Sequence, residues 1–180
     1  MLTLNPSEDI KLKVIEESDA EAVYNSIKSN RKRLREWLSW LDKINSLADY
    51  KRLIPKVQEN CRNGQAFLFG IFYQNEFAGI IDLKFIDTMN KKTSIGYWLD
   101  QKFEGKGIMT KSVKALVNFA FTTLQLNRIE ITAAVNNEKS NKVVQNAGFV
   151  KEGVLRENEW LYDHFEDHNV YSILKSEWKS

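Results

Sequence analysis

Apolar and polar residues alternate over 10–16 (IKLKVIE), which predicts a half-buried strand. Directly after it, Ser18-Asp19-Ala20-Glu21 reads as a capping box opening a helix, with Ser18 at the cap and Glu21 reaching back. Ala20, Val23, Tyr24 and Ile27 make the apolar stripe of that helix. A second helical stretch carries Leu34, Trp37, Leu38 and Leu41 on one face, and a third carries Tyr50, Leu53, Ile54, Val57 and Cys61. Gly64 is placed to end the third. Pro55 inside it predicts a kink or a break, because proline has no N–H for the helix ladder.

Beyond residue 65 the pattern changes. Residues 66–73 and 77–86 are rich in aromatic and β-branched side chains and are joined by Gln74-Asn75-Glu76, which predicts a hairpin. Residues 93–99 form a further strand. An amphipathic helix from about Gly107 to Leu124 follows, with Met109, Val113, Leu116, Val117, Ala120 and Leu124 on one side. Then come a strand at 128–135, a short helix at 138–147, and strands at 149–157 and 169–175. Such an order is α/β. The simplest burial of all these stripes is a single mixed, twisted sheet of about seven strands with helices on both faces. No linker or repeat interrupts residues 1–180, so one domain is expected.

Composition narrows the picture only slightly. A net charge of +2 gives no reason to expect direct nucleic-acid binding. A single cysteine, Cys61, excludes an internal disulfide. The opening segment lacks a basic region followed by an apolar run, and no apolar stretch approaches the ~20 residues needed to span a bilayer. A cytoplasmic protein without a membrane segment is the expectation.

The chemistry concentrates where the 93–99 strand runs through Asp100-Gln101-Lys102-Phe103-Glu104-Gly105-Lys106-Gly107 into a helix. First-turn amides have no partner inside their helix, and the positive end of the helix dipole adds to them, so such a turn is an anion site. Gly105 and Gly107 let backbone approach a diphosphate closely, and Lys102 and Lys106 add positive charge. Taken alone, the turn is read equally well as a tight strand-to-helix connection. Thr110 stands where a dinucleotide fingerprint needs glycine, and Lys106-Gly107-Ile108 does not supply the P-loop's Gly-Lys-Ser/Thr.

A second segment, Asn137-Glu138-Lys139-Ser140 followed by Gly148-Phe149, lies one helix and one strand downstream. Its plain readings are a helix cap at Asn137 and a helix-terminating glycine at Gly148.

Together, in this order, the two segments resemble the GNAT superfamily of N-acetyltransferases, whose motif Gln/Arg-x-x-Gly-x-Gly/Ala falls on Lys102 to Gly107. Lys102 departs from the usual Gln or Arg. Over the whole chain the resemblance is to the ribosomal-protein N-terminal (RimJ/RimL-type) subgroup. It implies acetyl-CoA as cofactor, with its diphosphate on Lys102, Glu104, Gly105, Lys106, Gly107, Ile108, Met109 and Thr110. It also implies main-chain bonds from Trp98 and Leu99 to the pantetheine arm, and a further contact from Asn137. Val144 stands where many members carry an acidic tyrosine. The subgroup is similar in using the serine and a downstream glutamate, which match Ser140 and Glu159. Glu152 and Glu157 share that strand and stay open as bases.

The implied reaction is direct acetyl transfer to the N-terminal amine of a ribosomal protein, at serine or alanine, with homodimerisation a further expectation. Kept open are transfer to a polyamine or aminoglycoside, a non-catalytic acyl-CoA-binding domain, and a nucleotide-binding module. The basic, Trp-rich stretch Asn30–Asp42 is read as an amphipathic helix whose basic edge is solvated or attracts an acidic partner. Cys61 is expected in the core. His164 and His168 fall in a segment that reads as loop and lacks a third soft ligand, so no metal site is expected.

Overall fold

The computed structural model describes residues 2–179. In chain order the elements are β1 (Thr3–Ser7), β2 (Ile10–Val14), α1 (Ala20–Arg35), α2 (Leu47–Arg62), β3 (Phe67–Tyr73), β4 (Glu76–Asp87), β5 (Lys92–Leu99), α3 (Ile108–Thr122), β6 (Arg128–Ala134), α4 (Glu138–Asn146), β7 (Val150–Leu161) and β8 (His164–Leu174). One mixed sheet holds eight strands, in the order β1-β2-β3-β4-β5-β6-β8-β7. Every neighbouring pair is antiparallel except β5 and β6, which are parallel and joined through α3.

Helices cover both faces, as the amphipathic stripes require. One core gathers the inner side of α3 (Val113, Leu116, Val117, Ala120) with Leu12, Phe69, Ile81 and Ile129. A second gathers Val23 and Ile27 of α1 and Tyr50 and Ile54 of α2 with Phe77, Ile80 and Trp98.

Several expectations need correction. The sheet has eight strands rather than about seven, because residues 3–7 pair with β2 despite Pro6. Proline is tolerated there because β1 lies at the sheet's edge. The capping box lies on a short 3-10 turn (Glu17–Asp19) just before α1 and uses Glu16 and Asp19, not Ser18 and Glu21. The first and second helical stretches do not form two helices: α1 runs on to Arg35, and Trp37, Leu38 and Leu41 lie in turns after it. Pro55 does not break α2, which continues to Arg62. The last two strands meet in a hairpin around Tyr162-Asp163, so His164 and His168 stand on β8 rather than in a loop. Cys61 is only half-buried, against the α3-side core.

One half-buried carboxylate carries a pH signature. Asp82 on β4 accepts from the Gly96 amide at 2.8 Å and lies 3.7 Å from Lys84 Nζ. Burial pushes its pKa up to about 6, against the pull of Lys84 and Gly96. The native state therefore holds this proton more tightly than the unfolded chain does. That contribution is full at low pH and disappears as pH rises from the ordinary carboxyl value through about 6. Asp82→Asn should stabilise the protein by about 1–3 kcal/mol at pH 7.5, with the gain vanishing near pH 4. Urea unfolding at both values checks this, and an equal difference at both would contradict it.

Candidate acetyl-transfer site

The site originates where two strands part. β5 and β6 pair only at Lys92↔Arg128, Thr93↔Ile129 and Ser94↔Glu130. Both then continue, β5 to Leu99 along β4 and β6 to Ala134 along β8, leaving a wedge between residues 95–99 and 131–134. Asp100 donates its amide to the Ala78 carbonyl at 2.7 Å. The ladder alternates from that bond, so Trp98 and Gly96 turn their main-chain groups to β4, while Ile95, Tyr97 and Leu99 turn theirs into the wedge. This corrects one expected contact: Trp98 has no free main-chain groups for a ligand, and its side chain is buried against Phe77. Tyr97 takes its place beside Leu99.

Both helices that follow these strands start at the mouth of the wedge. Gly105 and Gly107 adopt φ of +77° and +71°, a left-handed conformation that ordinary side chains disfavour, and nothing lies within 4 Å of a Cβ added at either. The first helical bond of α3 is Lys111 N–H to Gly107 O, 3.1 Å. Among the described residues the amides of Ile108, Met109 and Thr110 therefore have no intrahelical acceptor. The side chains of Ile108 and Met109 are in the core, so these two residues have only backbone to offer, as does Gly107. The turn thus fits an anion such as a diphosphate: open space, unbonded amides and the positive end of a helix.

Helix α1 clamps this turn from behind. Arg33 donates to the Leu99 carbonyl at 2.6 Å and to Glu104 Oε1 at 2.7 Å, and Asn30 Oδ1 accepts from the Gln101 amide at 3.0 Å. Glu104 also receives Lys139 of α4 at 2.6 Å. Its carboxylate is thereby committed to two cations, and it ties three helices' ends together. Lys102 pairs with Glu76, while Lys106 rests over the rings of Tyr73 and Phe103, at 5.3 and 5.4 Å.

The basic stretch is used internally. Arg31 bonds the Leu41 and Ile44 carbonyls, and Arg35 pairs with Asp42 and stacks 3.6 Å over Tyr162. Only Lys32 of the four cations is left without an acceptor among the described residues, so the expected attraction of an acidic partner loses most of its basis.

On α4, Asn137 caps the helix by accepting from the Ser140 amide at 3.1 Å. Ser140 Oγ meets the Tyr97 hydroxyl at 3.0 Å. Asn141, which no motif marked, is a buried hub: it donates to the Ala134 and Asn137 carbonyls and accepts from Asn169 and Tyr171. Sequence could have flagged it only as an asparagine on the helix's apolar side.

The three glutamates of β7 are told apart by their surroundings. Glu152 is held by Arg128 and Ser172, which bring its pKa down to about 2 and remove it as a proton acceptor. Glu157 is exposed at a bulge where its amide binds Asp167. Glu159 is half-buried, accepts from Ser39 at 2.5 Å, and lies 3.6 Å from His168 Nε2. The Asn158 amide nitrogen lies 3.1 Å from His168 Nδ1. An amide nitrogen can only donate, so the neutral ring carries its proton on Nε2, facing Glu159. Among the described residues no group of three or more His, Cys, Asp or Glu is placed to hold a metal ion. No helix among them is long and apolar enough to cross a membrane.

The chain resembles known proteins throughout its length. Residues 9–150 match the model of the acetyltransferase (GNAT) domain. The chain is 36% identical to a putative ribosomal N-acetyltransferase, YdaF, of Bacillus subtilis, covering 99% of this chain and 98% of that one. It is 32% identical to the ribosomal-protein-serine acetyltransferase of Escherichia coli, covering 96% of each. A ribosomal L7/L12 alpha-N-protein acetyltransferase solved in complex with coenzyme A superposes with a TM-score of 0.93 at 29% identity, over 96% of this chain and 98% of that one.

Proposed function

The chain belongs to the GNAT acetyltransferase family, and from that premise we propose that it acetylates the N-terminal α-amine of a ribosomal protein, at serine or alanine, by direct attack without a covalent enzyme intermediate. The observation that carries the reading is the wedge between β5 and β6, with unbonded amides at its mouth.

Acetyl-CoA supplies the activated acetyl thioester when bound. The amides of residues 105–110 hold its diphosphate through backbone and helix dipole, with Lys106 close by. The main-chain groups of Tyr97 and the amide of Leu99, whose carbonyl is taken by Arg33, extend hydrogen bonds to the amide-bearing arm, as an added strand would. Glu159 accepts a proton from the amine directly or through water, and Ser39 and His168 fix its carboxylate. Ser140 directs its hydroxyl at the departing sulfur.

Weak groups suffice for this acceptor. An α-amine of pKa ~7.7–8.0 is roughly one-tenth neutral at pH 7, whereas a lysine amine at ~10.4 is neutral only about 0.04% of the time. A modest carboxylate base matches the first. Holding the reactants in line contributes much of the remaining acceleration.

Thiol release with peptides bearing N-terminal serine or alanine tests the reading. Turnover on such peptides well above that on polyamines and aminoglycosides supports it. A preference for a small amine would replace the acceptor, and coenzyme A binding with no thiol release from any amine would leave a binding domain. ATP affinity equal to that for coenzyme A would point to a nucleotide module. Ser140→Ala should lower kcat about tenfold while leaving coenzyme A affinity within a factor of two. Equal rates for variant and parent would remove Ser140 from the chemistry.

A further inference from the structure

The Tyr97 side chain leaves β5 towards α4, where its hydroxyl lies 3.0 Å from Ser140 Oγ and 3.1 Å from the Ser140 carbonyl oxygen. Each of the two hydroxyls has one proton to give. Two proton arrangements satisfy these distances without moving a heavy atom. In one, Tyr97 donates to the Ser140 carbonyl and Ser140 Oγ donates to Tyr97. In the other, Tyr97 donates to Ser140 Oγ, and the serine proton is free for a third atom. A negatively charged acceptor in the wedge selects the second arrangement, because only there does an O–H point at it.

We infer that Tyr97 is a positioning residue that turns the Ser140 hydroxyl towards the coenzyme sulfur, and that the pair stabilises this sulfur as a thiolate by hydrogen bonding rather than by giving it a proton. The inference rests on the acetyltransferase reading and extends it to a residue that no motif singles out.

Chemistry favours donation over transfer. Burial pushes the Tyr97 hydroxyl up to about 12, with the Ser140 hydrogen bond pulling the other way and Tyr171 of β8 adding to the rise. A coenzyme thiol resembles cysteine, at ~8.5. Moving a proton from this phenol to that sulfur is uphill by a few thousandfold, on the order of 10^3.5. Val144, on the same helix, is fully buried and has no proton to give. The step therefore balances without either hydroxyl ionising. The amine lone pair forms the C–N bond, the C–S pair leaves on sulfur, the amine proton passes to Glu159, and the thiolate takes a proton from solvent after release. The neighbouring charges, Lys139 and Glu104, are paired with each other at 2.6 Å.

Two readouts test this: the titration of the bound coenzyme A thiol, followed by thiolate ultraviolet absorbance, and steady-state transfer. Ser140→Ala should shift the thiol titration to higher pH. Tyr97→Phe should shift it in the same direction by a smaller amount and lower kcat about fivefold, with KM for acetyl-CoA within twofold. In the Ser140→Ala background the second change should add almost nothing. A Tyr97→Phe enzyme with parental titration and parental kcat overturns the inference while Ser140 keeps its role. If Ser140→Ala is also silent in both readouts, the underlying reading of the site fails instead. Should Tyr97→Phe not fold, 3-fluorotyrosine at position 97 serves. Its stronger donor should bring the bound thiol titration to lower pH, and an unchanged titration overturns the inference.

Discussion

Gly105→Glu is expected to cut coenzyme A affinity by at least a hundredfold and to abolish transfer at ordinary substrate concentrations. Gly105 lies in the left-handed region with open space where a side chain would begin, two residues before the cap of α3. A glutamate there places a negative charge beside the amides that would meet a diphosphate. At ~4 Å and an effective dielectric of about 20, one pair of unit charges repels by about 4 kcal/mol, enough for the loss. The left-handed conformation adds about 1–2 kcal/mol of strain for any residue with a Cβ. Gly105→Ala separates the two effects. Its Cβ meets nothing within 4 Å, so it should lose about 1–2 kcal/mol of stability yet retain most of its affinity. Calorimetry with coenzyme A on both variants, beside their unfolding midpoints, decides. Unchanged affinity in Gly105→Glu would remove this turn from cofactor binding.

Glu159→Gln should lower kcat/KM about a hundredfold or more, the usual scale for removing a general base, with coenzyme A affinity unchanged. Glutamine keeps the shape and still accepts from Ser39 through its oxygen, so the local packing survives and the lost function is proton acceptance. Glu157→Gln is the control: that side chain is exposed, and its rate should match the parent. Glu152→Gln should act on stability, since it weakens the bond to Arg128 that links β6 to β7. If Glu159→Gln retains the parental rate on N-terminal peptides, the base lies elsewhere.

Much of the site was legible because it is local. The conformation of Gly105-Lys106-Gly107 and the start of α3 depend on residues adjacent in the chain, and a glycine-containing turn opening into an apolar-periodic helix announces itself. The Asn137 cap and the end of α4 at Gly148 are of the same kind. The expected second helical stretch carrying Leu34, Trp37, Leu38 and Leu41 failed for the opposite reason. Leu34, Leu38 and Leu41 have helical spacing, but α1 stops at Arg35 because the following turn is held by distant partners. Tyr162 binds the Leu38 carbonyl and Ser39 binds Glu159. Periodicity records which side of a segment is apolar, and carries no information about a tether to a strand far along the chain. Pro55 shows a local rule outweighed by packing: Tyr50 and Ile54 are buried in the α1–α2 core, and this anchors α2 across the missing hydrogen bond.

The chain's sequence alone therefore determined most of the helices and strands, where a glycine turn opens into a helix, and which residue types could serve an acetyl transfer, since each follows from neighbours within one or two turns of chain. Only the tertiary structure decided that β5 and β6 separate after three paired residues, that Tyr97 rather than Trp98 faces the opening, and that Glu152 is tied to Arg128 while Glu159 sits beside Ser39 and His168. Those choices rest on contacts between residues 43, 71 and 120 positions apart: Tyr97 with Ser140, Arg33 with Glu104, and Ser39 with Glu159. Such contacts exist only once the sheet and its two helical layers have closed around their cores.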